Sequence, residues 1–148
     1  MNLSTLFRLE ENLNLDKKTL VFLRWLAIFG QLISVNLVYF ILDLSFPIFE
    51  CHLIILFGLL TNVFLQFKIK DTQLKDFYST SFLIYDIIQL SLLLYLTGGI
   101  FNPFSILIIV PTIVSSTFLS MGSTIILGSS TILFLFILTF FHLPLPGM

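Results

Sequence analysis

From Ile87 to Met148 the chain carries no formal charge. No folded aqueous surface can be built from such a stretch, since a water-soluble domain dresses itself with roughly a quarter charged residues. Fourteen of the fifteen charged side chains fall between Arg8 and Asp76, and the last is Asp86. Over all 148 residues 57% are hydrophobic and 10% charged, with 18 Phe against 7 Lys and Arg. The solvent of this polypeptide is mostly lipid. A net charge of −1 excludes an electrostatic nucleic-acid binder. The single cysteine, Cys51, allows no internal disulfide.

A span needs about 20 apolar residues, and five segments qualify: about 20–42, 47–67, 77–97, 104–120 and 123–141. In lipid each backbone group must find its partner within the segment, so the spans are expected to be helices. The apolar runs are continuous and do not alternate, which excludes a barrel. The fold class is therefore all-α, a polytopic membrane helix bundle with five transmembrane helices. Residues 1–19 read as a cytoplasmic tail and 20–148 as the membrane domain. Ser45 and Pro47 are expected to open the second span, and Met121-Gly122-Ser123 to form the hairpin before the last.

Orientation follows from the basic loops. Arg8, Lys17 and Lys18 precede the first span, and Lys68, Lys70 and Lys75 follow the second. The loop between these spans has only Asp43 and Glu50. The N-terminus is thus expected inside and the Gly98–Asn102 turn outside.

Asp86 breaks the apolar rule near mid-membrane, with Gln89 on the same helix face. Such a carboxyl must be protonated, paired or turned to a wet cavity. Gln31, Ser34, Asn36 and Asn62 offer polar partners, and two readings stand: an interhelical packing cluster, or a proton or signal relay. Arg24, close to the start of span one beside Trp25, is expected to snorkel to the interface. Pro111 is expected to kink span four, with Ser115 or Ser116 meeting the freed carbonyl.

The stretch Gly98-Gly99-Ile100-Phe101-Asn102-Pro103-Phe104 also has two readings. Gly98 suits a left-handed cap, Asn102 an N-cap and Pro103 the first helical position. Equally, two glycine N–H groups, the Asn102 amide and the faces of Phe101 and Phe104 suit a flat, two-carbonyl, lipid-soluble ring such as a quinone. His142 falls on the same side. His52 and His142 read as polar anchors, and no metal or haem is expected.

The same residues resemble a known family. Tyr95 to Phe104 looks like the GGxxNPF motif of the RegB/PrrB-type redox-sensing histidine kinases. Leu23-Arg24-Trp25 with Gly30-Gln31, Asp86 with Gln89-Leu90-Ser91, and Phe141 to Leu145 agree with it. The resemblance runs from about Leu20 to Leu145. It implies a quinone-pool sensor in the bacterial inner membrane, with ubiquinone as sensed ligand at Gly98, Gly99, Phe101, Asn102, Pro103, Phe104 and His142. It also implies a homodimer and control of a kinase domain that phosphorylates a response regulator. The family's phosphoacceptor His-Glu motif and ATP-binding boxes are missing here, so the chain itself holds no catalytic domain. Five spans against the family's six read as a truncated module. The alternative from a different class is a small transporter or transporter subunit, with Asp86 lining a path.

Overall fold

The computed structural model describes residues 17–69 and 76–143. The tail up to residue 16, Lys70 and Lys75, and the terminal residues from Pro144 lie outside the described residues. The described residues are all-helical. α1 runs over Lys17–Phe40, α2 over Ile48–Lys68 and α3 over Asp76–Leu96. A short 3-10 turn at Gly99–Phe101 leads into a 3-10 helix, Pro103–Ile109, which continues as α4, Val110–Phe118. α5 spans Met121–Phe140. Four helices are long and apolar enough to cross a membrane, and Pro103–Phe118 is a shorter apolar segment. The polytopic helix bundle expected from the charge pattern is the fold.

Burial falls on one stripe of each helix. In α2 the buried residues are Cys51, Ile55, Gly58, Asn62 and Leu65, spaced three or four apart along one face. In α5 they are Ser123, Leu127, Thr131 and Leu138. The remaining faces carry Phe22, Phe29, Phe57, Phe64 and Phe136, all exposed in the isolated chain. In a bilayer those rings meet acyl chains. α3 is the central helix, with 44% of its apolar window buried against 22–28% in the other three long helices. It contacts α2, α4 and α5, while α1 packs chiefly on α2.

Where lipid offers no hydrogen bonds, hydroxyls bond inward. Ser91, Thr97 and Thr131 donate to carbonyls one turn back. Thr80 donates to Ser123 at 2.8 Å, and Ser115 and Thr124 meet at 2.9 Å, tying α5 to α3 and α4. Lys17 Nζ donates to the carbonyls of Gln66 and Ile69, closing the end of α2.

Local details depart from expectation in three places. Pro47 itself occupies the N-cap of α2 without a side-chain cap bond, so Ser45 plays no capping part. The turn before α5 is tighter than Met121–Ser123. Ser120 is the N-cap and accepts from Ser123 N, so these three residues already belong to the helix. Pro111 does not kink a continuous α-helix. It lies in the first turn of α4, where its missing N–H costs little, and the irregularity is taken up by the 3-10 helix before it. Ser115 turns to Thr124 and Ser116 to Ile113 O, so neither repairs a broken carbonyl.

Candidate functional site

Arg24 does not snorkel. Its side chain is 4% exposed, and both Nε and Nη2 lie 3.0 Å from Asp86 Oδ1. Nη2 also donates to Thr61 Oγ1 at 2.7 Å, and Thr61 in turn donates to Gly58 O. The guanidinium lies over the rings of Phe82 and Tyr85, 5.1 and 5.7 Å from their centroids. Pairing wins over snorkelling because Asp86 sits at the midpoint of α3, far from either interface. A lone carboxylate there would be more costly than a second charge brought to meet it. The packing partner expected for Asp86, Gln89, goes elsewhere. Its Nε2 donates to Gln31 Oε1 at 2.8 Å, and it rests over Gly58 so closely that a Cβ there would collide with its amide. Asn62 donates to Val21 O, and Asn36 to Leu32 O within its own helix. Arg24, Gln31, Thr61, Asn62, Asp86 and Gln89 thus make a network of interhelical bonds around an ion pair, while Asn36 bonds within its own helix.

Reading along the chain missed Arg24, Thr61 and Gly58 as members of this network. One signal was present: an acid at mid-span and a base inside another span, each without a partner nearby in sequence.

The turn beyond α3 has the local chemistry its residues call for. Gly98 is left-handed, with φ 104°, and Gly99 follows with φ 59°. Asn102 Oδ1 accepts from Phe104 N, and Nδ2 donates to both Thr97 O and Thr97 Oγ1. Pro103 takes the first helical position. His142 reaches this turn from the end of α5. Its ring meets Phe101 edge-on at 5.6 Å, and a Cβ on Gly99 would lie 2.5 Å from His142 Cβ. Leu143 N donates to Tyr95 O at 2.7 Å, which fixes the approach.

Between α1 and the Pro103–Phe118 segment, over α3, lies a groove of about 630 Å³. It is lined from Leu83 of α3 to Thr97 just past its end, about 20 Å at 1.5 Å per residue. Asn102, Pro103 and Phe104 stand at one end, and Asp86, Gln89, Arg24 and Gln31 contribute its polar lining. The seven turn residues thus divide. Asn102, Pro103 and Phe104 border the groove, whereas Gly98, Gly99, Phe101 and His142 are not among its lining residues.

A family model of the PilS-like transmembrane domain matches residues 20–146. The sensor histidine kinase RegB of Cereibacter sphaeroides is 36% identical over 129 residues, covering 86% of this chain and 28% of that protein. The chain thus spans little more than a quarter of the length of the curated relative it matches. No solved structure matches. Four long apolar helices, a fifth apolar segment and a match from the first helix past the last make this a multi-pass membrane protein, and the chain belongs to the PilS-like transmembrane domain family.

Proposed function

We propose that the chain is the quinone-responsive sensing module of a membrane histidine kinase in the bacterial inner membrane. The observation that carries this reading is the 36% identity to the RegB sensor histidine kinase over most of the chain. The groove supports it, being in the size range of small-molecule sites and lined mainly by apolar side chains. In this reading ubiquinone enters where Pro103 and Phe104 form an apolar rim. Asn102 holds that rim through its bonds to Thr97 and Phe104. Gly98, Gly99, Phe101 and His142 form the buttress behind it. Movement of the rim relative to α3 would carry the signal toward the kinase, which acts on a response regulator, the whole working as a homodimer.

Ubiquinone titration of the purified chain tests the reading, with binding followed by quenching of Trp25, the single tryptophan. Saturable quenching is expected, with Phe104→Ala weakening it about two- to tenfold, the scale of about 0.5–1.5 kcal/mol for a lost ring–ring contact. Quenching that rises without saturation, as for partition into the micelle, would remove quinone from the function.

A further inference from the structure

Among the described residues three buried side-chain atoms have no hydrogen-bond partner: Arg24 Nη1, Asn62 Oδ1 and Ser79 Oγ. Arg24 is 4% exposed, and Asn62 and Ser79 are 0% exposed. Native proteins meet nearly all such atoms with protein groups or with ordered water. Asn62 cannot answer its need by turning its amide, because Nδ2 already donates to Val21 O. Arg24 has committed Nε and Nη2 to Asp86 and Thr61.

The three atoms share one end of the bundle. Lys17 joins the start of α1 to the end of α2. Gly58 lies against Gln89, and Thr61 shares Arg24 with Asp86, so α3 runs opposite to α2 and begins at that same end. Counted from the helix ends at 1.5 Å per residue, Ser79 lies about 5 Å in, Asn62 about 9 Å, Arg24 about 10 Å and Asp86 about 15 Å. Asn62 and Arg24 also converge on one stretch of the α1–α2 contact. The Asn62 amide bonds the carbonyl of Val21, one turn before Arg24, and the neighbouring Thr61 bonds Arg24 itself. Ser79 precedes Asp86 by two turns on one face of α3. Beyond the ion pair the pattern changes: Gln89 bonds Gln31, Ser91 bonds Ile87 O and Thr97 bonds Leu93 O.

An unmet donor and an unmet acceptor in the same contact define a bridge. We propose that a buried water joins Arg24 Nη1 to Asn62 Oδ1, reached from the Lys17 end past Ser79, and that through it the guanidinium exchanges hydrogens with that aqueous face. Water accepts from Nη1 and donates to Oδ1 at once. An anion would suit Nη1 but repel Oδ1, and a metal cation would do the reverse. The groove is the rival route, since Arg24 also lines it and the Asp86 side chain is 24% exposed. Gly30 lines the groove too, and a Cβ built there meets nothing within 4 Å, so a side chain at that position fills the rival route.

The chain has two arginines, Arg8 and Arg24, so Arg8→Lys leaves one guanidinium to observe. With isotope-labelled arginine in the lipid-embedded chain, NMR follows exchange of the Arg24 guanidinium hydrogens with bulk water. Exchange is expected in Arg8→Lys, about tenfold slower when Asn62→Leu is added, and unchanged when Gly30→Leu is added. Thermal unfolding checks each variant. Exchange that is absent in Arg8→Lys, unaltered by Asn62→Leu or slowed by Gly30→Leu overturns the proposal. Where Asn62→Leu does not fold, thiol labelling in a Cys51→Ser background decides. A small water-soluble methanethiosulfonate should modify Ser79→Cys about tenfold faster than Ser91→Cys, which is 5% exposed on the same helix beyond the ion pair. Equal rates would leave the Lys17 end dry and the proposal overturned.

Discussion

At the residue scale, the ion pair between Arg24 and Asp86 dominates. Each charge is stabilised mainly by the other, by Thr61 and by the rings of Phe82 and Tyr85. Removing one partner of a buried pair typically costs about 3–5 kcal/mol, because a charge is left uncompensated. Asp86→Leu and Arg24→Met should each destabilise on that scale. The double variant should lose much less than the sum, since apolar side chains suit this environment. Thermal unfolding of the four chains in detergent measures the coupling, and additive losses would mean that the pair is not formed. Gly58 offers a second, smaller test. A methyl there displaces the Gln89 amide and breaks its bond to Gln31, about 0.5–1.5 kcal/mol. Gly58→Ala should therefore destabilise the parent chain but add little once Gln89→Ala has removed the obstructing amide.

At the scale of elements, the turn from α3 to the Pro103–Ile109 helix is held mainly by one amide. Asn102 caps the following helix and also ties back to Thr97 at the end of α3. A pure cap would be restored by Ser or Asp. Here Asn102→Asp keeps the acceptor for Phe104 N but loses both donors to Thr97 and places a charge against its carbonyl. Thermal unfolding should rank Asn102 above Asn102→Asp, with a loss of about 0.5–2 kcal/mol in Asn102→Ala. Full recovery in Asn102→Asp would reduce the residue to a cap. Much of this turn was legible in sequence, because Gly98, Asn102 and Pro103 each have a strong local preference that tertiary contacts do not oppose. The helices were legible for the same reason, through apolar length. What escaped was either non-local or masked by uniform hydropathy. Arg24 and Asp86 are sixty-two residues apart, and nothing local to Arg24 distinguishes pairing from snorkelling. The 3-10 stretch Pro103–Ile109 is as apolar as an α-helix, so hydropathy cannot separate them. Ser120 could have been read as a cap from its place three residues before Ser123, but Gly122 drew the turn toward itself.

At the scale of the whole molecule, the groove and the ion pair have meaning only with a direction across the membrane. Lys17 Nζ binds the carbonyls that end α2, so the start of α1 and the end of α2 share one face of the bundle. Lys18 and Lys68 belong to that same end, and no Lys or Arg lies in the loop joining α1 to α2. By the positive-inside tendency that face is expected to be cytoplasmic. Arg24 then lies about 10 Å inside it, seven residues along α1 at 1.5 Å each. The turn at Gly99–Phe101 lies at the far end of α3 together with His142, and would then face outward. The groove would run from the outer rim at Phe104 down to the ion pair, open to a molecule arriving from the bilayer. The orientation is tested with a cysteine in place of Ile100, which is 39% exposed at the turn and bonds to Ser105 only through its backbone carbonyl. The native thiol, Cys51, is buried and is replaced by Ser so that it cannot report. A membrane-impermeant maleimide should label Ile100→Cys from the outside of intact cells. Labelling only after the cytoplasmic face is opened would invert the bundle and put the rim of the groove on the side of the kinase.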